Sequence, residues 1–184
     1  MDLKKHIRSI QDYPKKGILF RDITTLIKDP SAFKFTNDRI IEIAKKIDFD
    51  KVAAIESRGF VFASTISYVL NKPFILLRKK NKLPSETHSI DFKLEYGEAT
   101  IEVHKDSIKK DEKVLIIDDL IATGGTAEAA AKLIEISGGK VAGFIFVINL
   151  FDLPGSKLLK DKGYSVESLI EFPGHWLSYY FIYV

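Results

Sequence analysis

Residues 114–126 constrain the fold of this chain more than any other stretch of its sequence. Four apolar residues at 114–117 predict a buried strand, and two adjacent acids, Asp118 and Asp119, stand where that strand is expected to end. A loop of small residues follows, and the alanine-rich residues 127–136 favour a helix. A strand, a glycine-containing loop and a helix N-terminus in this order are typical of a phosphate site in an open α/β sheet, because the free N–H groups of the helix attract an anion.

The loop and the two acids have different chemistry and therefore predict different ligands. Glycines let the backbone approach a phosphate closely, and threonine hydroxyls add donors. The residues expected to hold a phosphate are Ala122, Thr123, Gly124, Gly125 and Thr126. Asp118 and Asp119 cannot face the same anion, so they are expected to face ribose hydroxyls, a metal ion or both. This division indicates a sugar phosphate. The loop is neither a dinucleotide fingerprint nor a Walker loop.

Composition limits the remaining function classes. The 184 residues suit one domain with a full core, and the absence of cysteine excludes disulfides and thiolate chemistry. A net charge of +3 is too small to indicate nucleic acid as a partner. No apolar run approaches the ~18–20 residues of a membrane span, so no membrane partner and a cytoplasmic location are expected. The four histidines lack the spacing of metal ligands.

Predicted strands and helices alternate along most of the chain, which indicates a parallel sheet. Strands are predicted at 52–55, 74–77, 114–117, 141–150 and 165–170, and helices at 3–10, 31–47, 60–70, 127–136 and 153–162. Residues 18–22 are expected to be extended, and either Asp29 or Ser31 to cap the helix that follows. Residues 56–59 are expected to form an exit loop, residues 78–95 a long exposed loop, and 91–95 with 99–103 an antiparallel pair. Residues 1–35 do not fit the alternation and are interpreted as a cap over the strand ends.

Several further segments, taken together, resemble a known family. The matching segments are Tyr13-Pro-Lys-Lys-Gly-Ile-Leu-Phe-Arg-Asp22, Glu56-Ser-Arg-Gly-Phe60, Arg78-Lys-Lys-Asn-Lys-Leu-Pro84, Leu94-Glu-Tyr-Gly97 and Asn149-Leu-Phe-Asp152. With the loop at 118–126, they resemble the type I phosphoribosyltransferases and, more narrowly, the adenine phosphoribosyltransferase family, over roughly residues 7–175. The resemblance implies a single α/β domain over 1–184. It implies a five-stranded parallel sheet flanked by helices, a hood at 1–35, and a flexible loop with an antiparallel hairpin at 78–103. Residues 176–184 form an apolar extension beyond the family pattern.

The resemblance also implies an activity. It is the transfer of ribose 5-phosphate from 5-phosphoribosyl 1-pyrophosphate to N9 of adenine, which gives AMP and pyrophosphate in purine salvage. Mg²⁺ would be the cofactor, held mainly by substrate oxygens, and no dedicated metal residues are expected. A homodimer is expected as well.

The same resemblance assigns roles to individual residues. The 5′-phosphate would bind residues 122–126, and the ribose would bind Asp118 and Asp119. The pyrophosphate would bind Ser57, Arg58, Gly59, Arg78, Lys79 and Lys82. Adenine would bind Leu19, Phe20, Arg21 and Leu150, and Glu95 would transfer the proton. From the residues alone, the run at 78–82 can equally be a solvated charged face, and Glu95 a solvated hairpin residue.

Two other functions remain open from the sequence. One is a phosphoribosyltransferase for hypoxanthine, guanine or xanthine. The other is a regulator of the same fold that senses phosphoribosyl pyrophosphate without catalysis.

Overall fold

The computed structural model describes residues 1–94 and 97–174, and its first 28 residues form a small hood. The hood consists of a 3-10 helix (Leu3–His6), strand β1 (Arg8–Gln11), strand β2 (Leu19–Asp22) and helix α1 (Thr24–Ile27). Strands β1 and β2 pair antiparallel, with Arg8 opposite Asp22. The extended segment predicted at 18–22 is confirmed. The helix predicted at 3–10 is wrong beyond His6, because the cross-strand pairing of Arg8 holds the chain extended.

The described residues contain one seven-stranded sheet, and five of its strands are parallel to each other. Its strands are β3 (Lys51–Ile55), β4 (Phe74–Lys79), β5 (Thr87–Leu94), β6 (Gly97–His104), β7 (Lys113–Ile121), β8 (Lys140–Leu150) and β9 (Val166–Phe172). Their order is β5-β6-β4-β3-β7-β8-β9, and the parallel part runs from β4 to β9. The predicted five-stranded parallel sheet is therefore confirmed, and the antiparallel hairpin extends it at one edge.

The hairpin of β5 and β6 is longer than its sequence pattern indicated. Strand β6 joins the parallel part by pairing antiparallel with β4, where Arg78 lies opposite Glu102. The prediction of a loop as far as residue 95 is wrong, because β5 already begins at Thr87. The alternating side chains of Ile90 and Phe92 pack against the core, and this packing pairs the segment with β6.

The larger helices begin where local chemistry allows them to begin. They are α2 (Pro30–Ala44), α3 (Glu56–Leu70), α4 (Gly125–Ile136) and α5 (Gly155–Asp161). Asp29 caps α2, since its carboxylate accepts the N–H groups of Ser31 and Ala32. The exit loop predicted at 56–59 is wrong, because Glu56 adopts a left-handed φ of 52° and turns β3 directly into α3. None of the helices in the described ranges is long and apolar enough to cross a membrane.

The core lies in two layers, one on each face of the sheet. Helices α2 and α3 and the hood pack on one face, together with Leu115 and Ile117 of β7. Helices α4 and α5 and the hairpin pack on the other face, together with Val114 and Ile116. Because both faces are covered, a ligand can reach the sheet only at the ends of its strands, and ligands of open α/β sheets bind at the carboxyl ends.

Within the hood, an ion pair between Arg8 and Asp22 predicts a specific dependence of stability on pH. Burial would raise the pKa of Asp22, but the hydrogen bonds from Arg8 and Thr24 lower it to about 2. The Asp22 side chain is 8% exposed, and Arg8 Nε donates to it at 3.0 Å.

Replacing Asp22 with asparagine is expected to lower the free energy of unfolding at pH 7 by about 1 kcal/mol, a small value because Arg8 is largely exposed. A group with a lowered pKa stabilises the fold above its unfolded pKa and loses that effect as pH falls through its folded pKa. The free energies of unfolding of the wild type and the variant, measured in urea, should therefore converge as pH falls from about 4 to about 2. A constant difference across that range would contradict the assignment.

Candidate active site

A cavity of about 490 Å³ lies at the carboxyl ends of β3 and β7. The residues predicted from the sequence that line it are Ser57, Arg58, Lys79, Asp118, Asp119, Ala122, Thr123, Gly124, Gly125 and Thr126. The fold therefore brings together the predicted phosphate loop, both acids, and Arg58 and Lys79 of the predicted pyrophosphate residues. The opposite wall comes from the hairpin, through Phe92, Ala99 and Ile101, which the sequence pattern did not assign to a site.

The phosphate loop connects β7 to α4. The expectation that β7 ends at the acids is wrong, because its pairing with β8 continues through Leu120 and Ile121. Gly124 has a φ of 89°, a left-handed conformation that glycine adopts without strain, and α4 begins at Gly125. Within the described residues, no side chain caps this helix start. Its first N–H groups are therefore available to an anion.

Gly155, at the start of α5, supports this loop from behind, and its role was not visible in the sequence. Its N–H donates to the carbonyl of Ala122 at 2.9 Å. A Cβ on Gly155 would lie 2.3 Å from the Ala122 oxygen and 2.7 Å from the Gly124 nitrogen. The two glycine backbones pack directly against each other, so neither position has room for a side chain.

The two acids are held at an electrostatic cost. Asp119 is 3% exposed, and its N–H donates to Asp118 Oδ1 at 2.8 Å. Loss of hydration and the neighbouring charge of Asp119 raise the pKa of Asp118 well above its ordinary value. Loss of hydration also raises the pKa of Asp119, although Arg58 opposes that shift. A pair of carboxylates in this environment favours hydrogen-bond donors or positive charge in the cavity.

Arg58 and Gly59, in the first turn of α3, both contact this pair of acids. Arg58 Nε lies 3.3 Å from Asp119 Oδ2, and the Arg58 guanidinium also lies 5.5 Å from the ring centre of Phe20 in the hood. A Cβ on Gly59 would lie 2.8 Å from Asp118 Oδ1, so this glycine lets α3 approach β7 closely. In the described residues the cis peptide bond is Tyr13–Pro14, while Glu56 has the left-handed φ next to Ser57.

The predicted basic residues at 78–82 separate onto different sides of β4. Lys79 lines the cavity. Arg78 lies on the α3 side, where its guanidinium is 5.8 Å from the ring centre of Phe60 and its Nε is 3.6 Å from Glu56 Oε1. Lys82 is exposed in the turn after β4 and lies outside the cavity lining.

The predicted adenine residues lie around the hood and next to the cavity rather than in its lining. Phe20 is half-buried and contacts Tyr13 edge-on, with ring centres 5.1 Å apart. Arg21 is buried and donates to the carbonyl of Pro173 at 2.8 Å, which ties the hood to the end of β9. Burial lowers the pKa of Arg21, and Asp152 opposes that shift. Leu19 is half-buried beside Phe20, and Leu150 is buried at the end of β8.

Two predictions fall on residues that the structure does not describe. Glu95, the predicted proton-transfer residue, lies between the described ranges, and the extension at 176–184 lies after them. Among the described residues, no group of three or more histidine or acidic side chains is placed to hold a metal ion.

Comparison with known proteins identifies the family. The family described as "Phosphoribosyl transferase domain" matches residues 31–177. The adenine phosphoribosyltransferase of Pelagibacter ubique is 72% identical over 175 residues, which cover 95% of this chain and 100% of that protein. This chain belongs to the phosphoribosyltransferase family.

Solved structures of adenine phosphoribosyltransferases confirm the predicted type I phosphoribosyltransferase fold. The enzyme from Thermoanaerobacter pseudethanolicus is 45% identical, with a TM-score of 0.89 over 93% of this chain and 98% of that one. The Giardia lamblia APRTase, solved with 9-deazaadenine, is 32% identical, with a TM-score of 0.88 over 93% and 96%. The predicted resemblance to adenine phosphoribosyltransferases is therefore confirmed as well.

Proposed function

We propose that this phosphoribosyltransferase transfers ribose 5-phosphate from 5-phosphoribosyl 1-pyrophosphate to adenine and releases AMP and pyrophosphate. The observation that carries the proposal is the shared cavity, in which an uncapped helix start and two carboxylates with raised pKa lie beside Arg58 and Lys79. The similarity to adenine phosphoribosyltransferases over nearly the whole chain supports adenine as the base.

The geometry supports a displacement at C1′ of the ribose. The N–H groups of the first turn of α4 and the loop at 122–126 bind the 5′-phosphate. Asp118 and Asp119 accept hydrogen bonds from the 2′- and 3′-hydroxyls, and their negative charge stabilises the positive charge that develops on the ribose. Arg58 and Lys79 bind the departing pyrophosphate, so charge is stabilised on both sides of the breaking bond. The base attacks from the opposite face, with inversion at C1′.

Mg²⁺ fits the chemistry of this site. Asp119 Oδ2 accepts no hydrogen bond from the described residues, and repulsion between the two acids favours a nearby cation. Asp118 and Asp119 would hold the ribose hydroxyls beside the ion, and oxygens of the substrate would supply most of its ligands. When bound, the ion neutralises charge on the pyrophosphate as it leaves.

The base is assigned to the space between the hood and the end of β8. Phe20 supplies an aromatic face, and Leu150 closes the far side. The guanidinium of Arg21 is already bound to Pro173, so the backbone of Leu19 and Arg21 is the part that reads the edge of the base. Glu95 is assigned the proton transfer at the base, from the family pattern.

A homodimer is proposed, with the surface formed by α3 and β4 as its interface. Large apolar side chains there are exposed to solvent, namely Tyr68, Val69 and Leu76. Arg78 lies on the same side of β4 as Leu76. Sedimentation equilibrium would test this assembly, and a cytoplasmic location remains a prediction.

A direct assay tests the function. The protein is incubated with phosphoribosyl pyrophosphate and Mg²⁺ and with adenine, hypoxanthine, guanine or xanthine, and nucleotide formation is followed. Turnover is expected with adenine and should be at least about 100-fold slower with the oxopurines, because a base that leaves buried polar groups unpaired is strongly rejected. Comparable turnover of hypoxanthine would overturn the choice of base. Tight binding of phosphoribosyl pyrophosphate without AMP formation would favour a regulator.

Replacing Thr126 with alanine tests the phosphate loop. A hydrogen bond to a charged group is worth about 1.5–3 kcal/mol, so KM for phosphoribosyl pyrophosphate should rise roughly 10- to 100-fold. Ser137→Ala, at the far end of the same helix, removes a hydroxyl that donates to Leu133 and should leave KM unchanged. An unchanged KM in Thr126→Ala would remove Thr126 from the site.

A further inference from the structure

A tight turn at the end of β4 carries three basic residues, Lys79, Lys80 and Lys82. The N–H of Lys82 donates to the carbonyl of Lys79 at 3.2 Å, and Asn81 has a left-handed φ of 64°. Lys79, Lys80 and Lys82 are all exposed. Positive charges this close repel each other, so hydrogen bonds from neighbouring strands or helices are needed to hold the turn in one conformation.

Glu102 of strand β6 makes one of these hydrogen bonds. It is 8% exposed and lies in the middle of three paired strands, opposite Arg78 of β4 and Ser89 of β5. Its Oε2 accepts the N–H of Asn81 at 3.0 Å. Among the described residues, this is the hydrogen bond that the Glu102 side chain makes. A buried carboxylate costs free energy unless it is compensated. Here the compensation comes from the turn.

A second carboxylate holds the other end of the turn. Glu56 Oε1 accepts the N–H of Lys79 at 2.6 Å. Glu56 begins α3 and lines the cavity beside Lys79. Between them, the N–H of Lys80 donates to the carbonyl of Thr100 on β6 at 3.2 Å. Three backbone N–H groups therefore fix the turn, two of them through acids, and these two negative charges lie close to its cations.

We infer that Glu102 is a positioning residue for pyrophosphate binding, which fixes the backbone of Asn81 and so keeps Lys79 at the cavity before substrate arrives. This inference rests on the proposed function, because it takes pyrophosphate as the ligand of Lys79. Glu102 itself faces away from the cavity, since its neighbour Ile101 lines it, and acts only through the turn. Preorganised cations bind an anion with a smaller loss of conformational entropy than mobile ones.

The test compares Glu102→Ala and Glu102→Gln with Glu98→Ala, which removes an exposed carboxylate from the same face of the same strand. The first measurement is brief digestion of the native protein with trypsin, with cleavage after Lys79, Lys80 and Lys82 followed by mass spectrometry. The rate of cleavage reports how often the turn detaches. The second measurement is KM for each substrate and inhibition by pyrophosphate.

Glu102→Ala should raise cleavage in the turn and KM for phosphoribosyl pyrophosphate by roughly tenfold each, with KM for adenine within about twofold. Glu102→Gln keeps an accepting oxygen and should lie between Glu102→Ala and wild type, and Glu98→Ala should match wild type. If Glu102→Ala does not fold, Glu102→Asp, which keeps the charge but shortens the reach, takes its place.

Three results would overturn the inference: cleavage equal to wild type, an equal rise of both KM values, or faster cleavage with KM unchanged. The outcome is separate from that of the proposed function. Absence of AMP formation by the wild type refutes the function, while the cleavage measurement still shows whether Glu102 holds the turn.

Discussion

Asp118→Asn should be more stable than the wild type and nearly inactive. The pKa of Asp118 is raised in the folded protein, so ionisation of this group lowers stability as pH rises above its unfolded pKa, and the full cost applies above its folded pKa. Removing the charge should raise the free energy of unfolding by about 1–2 kcal/mol, or Tm by about 2–8 °C for a domain of this size. Because asparagine keeps an oxygen for the N–H of Asp119, the local backbone should not change.

Activity should move in the opposite direction. Loss of a charged acceptor for ribose, and of negative charge beside C1′, is expected to lower kcat/KM for phosphoribosyl pyrophosphate about 100- to 1,000-fold. Calorimetry and steady-state kinetics on the same preparation measure both effects.

Asp48→Asn provides the control, since Asp48 is an exposed acid paired with Lys113 and its pKa is lowered, chiefly by that hydrogen bond. It should not gain stability and should keep full activity. A destabilised Asp118→Asn, or one with normal kinetics, would contradict the description of the site.

Gly155→Ala should lower kcat/KM for phosphoribosyl pyrophosphate to an extent comparable with Asp118→Asn, although it removes no functional group. The new methyl would overlap the Ala122 carbonyl and the Gly124 nitrogen, which are both backbone atoms. The phosphate loop must therefore shift, and a displacement of about 1 Å in a binding group can cost about 100-fold in rate. We expect kcat/KM for phosphoribosyl pyrophosphate to fall by about that factor, with KM for adenine nearly unchanged.

Gly163→Ala is the matched control just beyond the other end of α5. Gly163 has a φ of 87°, and a Cβ at this position would have no heavy atom within 4 Å of it. Alanine there introduces backbone strain of about 1 kcal/mol without touching the loop, so it should lower Tm and leave the kinetics unchanged. Equal kinetic effects in the two variants would show that Gly155 acts through general stability alone.

Local patterns were sufficient to predict the parallel sheet and that the acids and the loop at 122–126 lie together, where they line one cavity. The apolar run before Asp118 and the alanines after Thr126 each favour one secondary structure strongly, and the alternation of such segments along the chain indicates a parallel sheet. The family resemblance then added Arg58 and Lys79, which line the same cavity.

The contacts that escaped prediction join residues far apart in the sequence. The packing of Gly155 against Gly124 depends on how α5 returns to the loop, and no local pattern encodes it. The direct entry of β3 into α3 depends on a left-handed Glu56 that is bound to the N–H of Lys79. The sequence around Glu102 is typical of an exposed hairpin, and its burial depends on pairing with two neighbouring strands.

The position of Arg58 has a thermodynamic consequence. Its guanidinium contacts Asp119 on one side and the ring of Phe20 on the other. A ligand that draws this group away changes both contacts at once, so we expect binding at the proposed pyrophosphate site and at the proposed base site to be coupled. By linkage, the factor by which pyrophosphate changes the affinity for adenine must equal the factor by which adenine changes the affinity for pyrophosphate. Through the two contacts of Arg58, the binding of pyrophosphate and the binding of adenine are expected to affect each other.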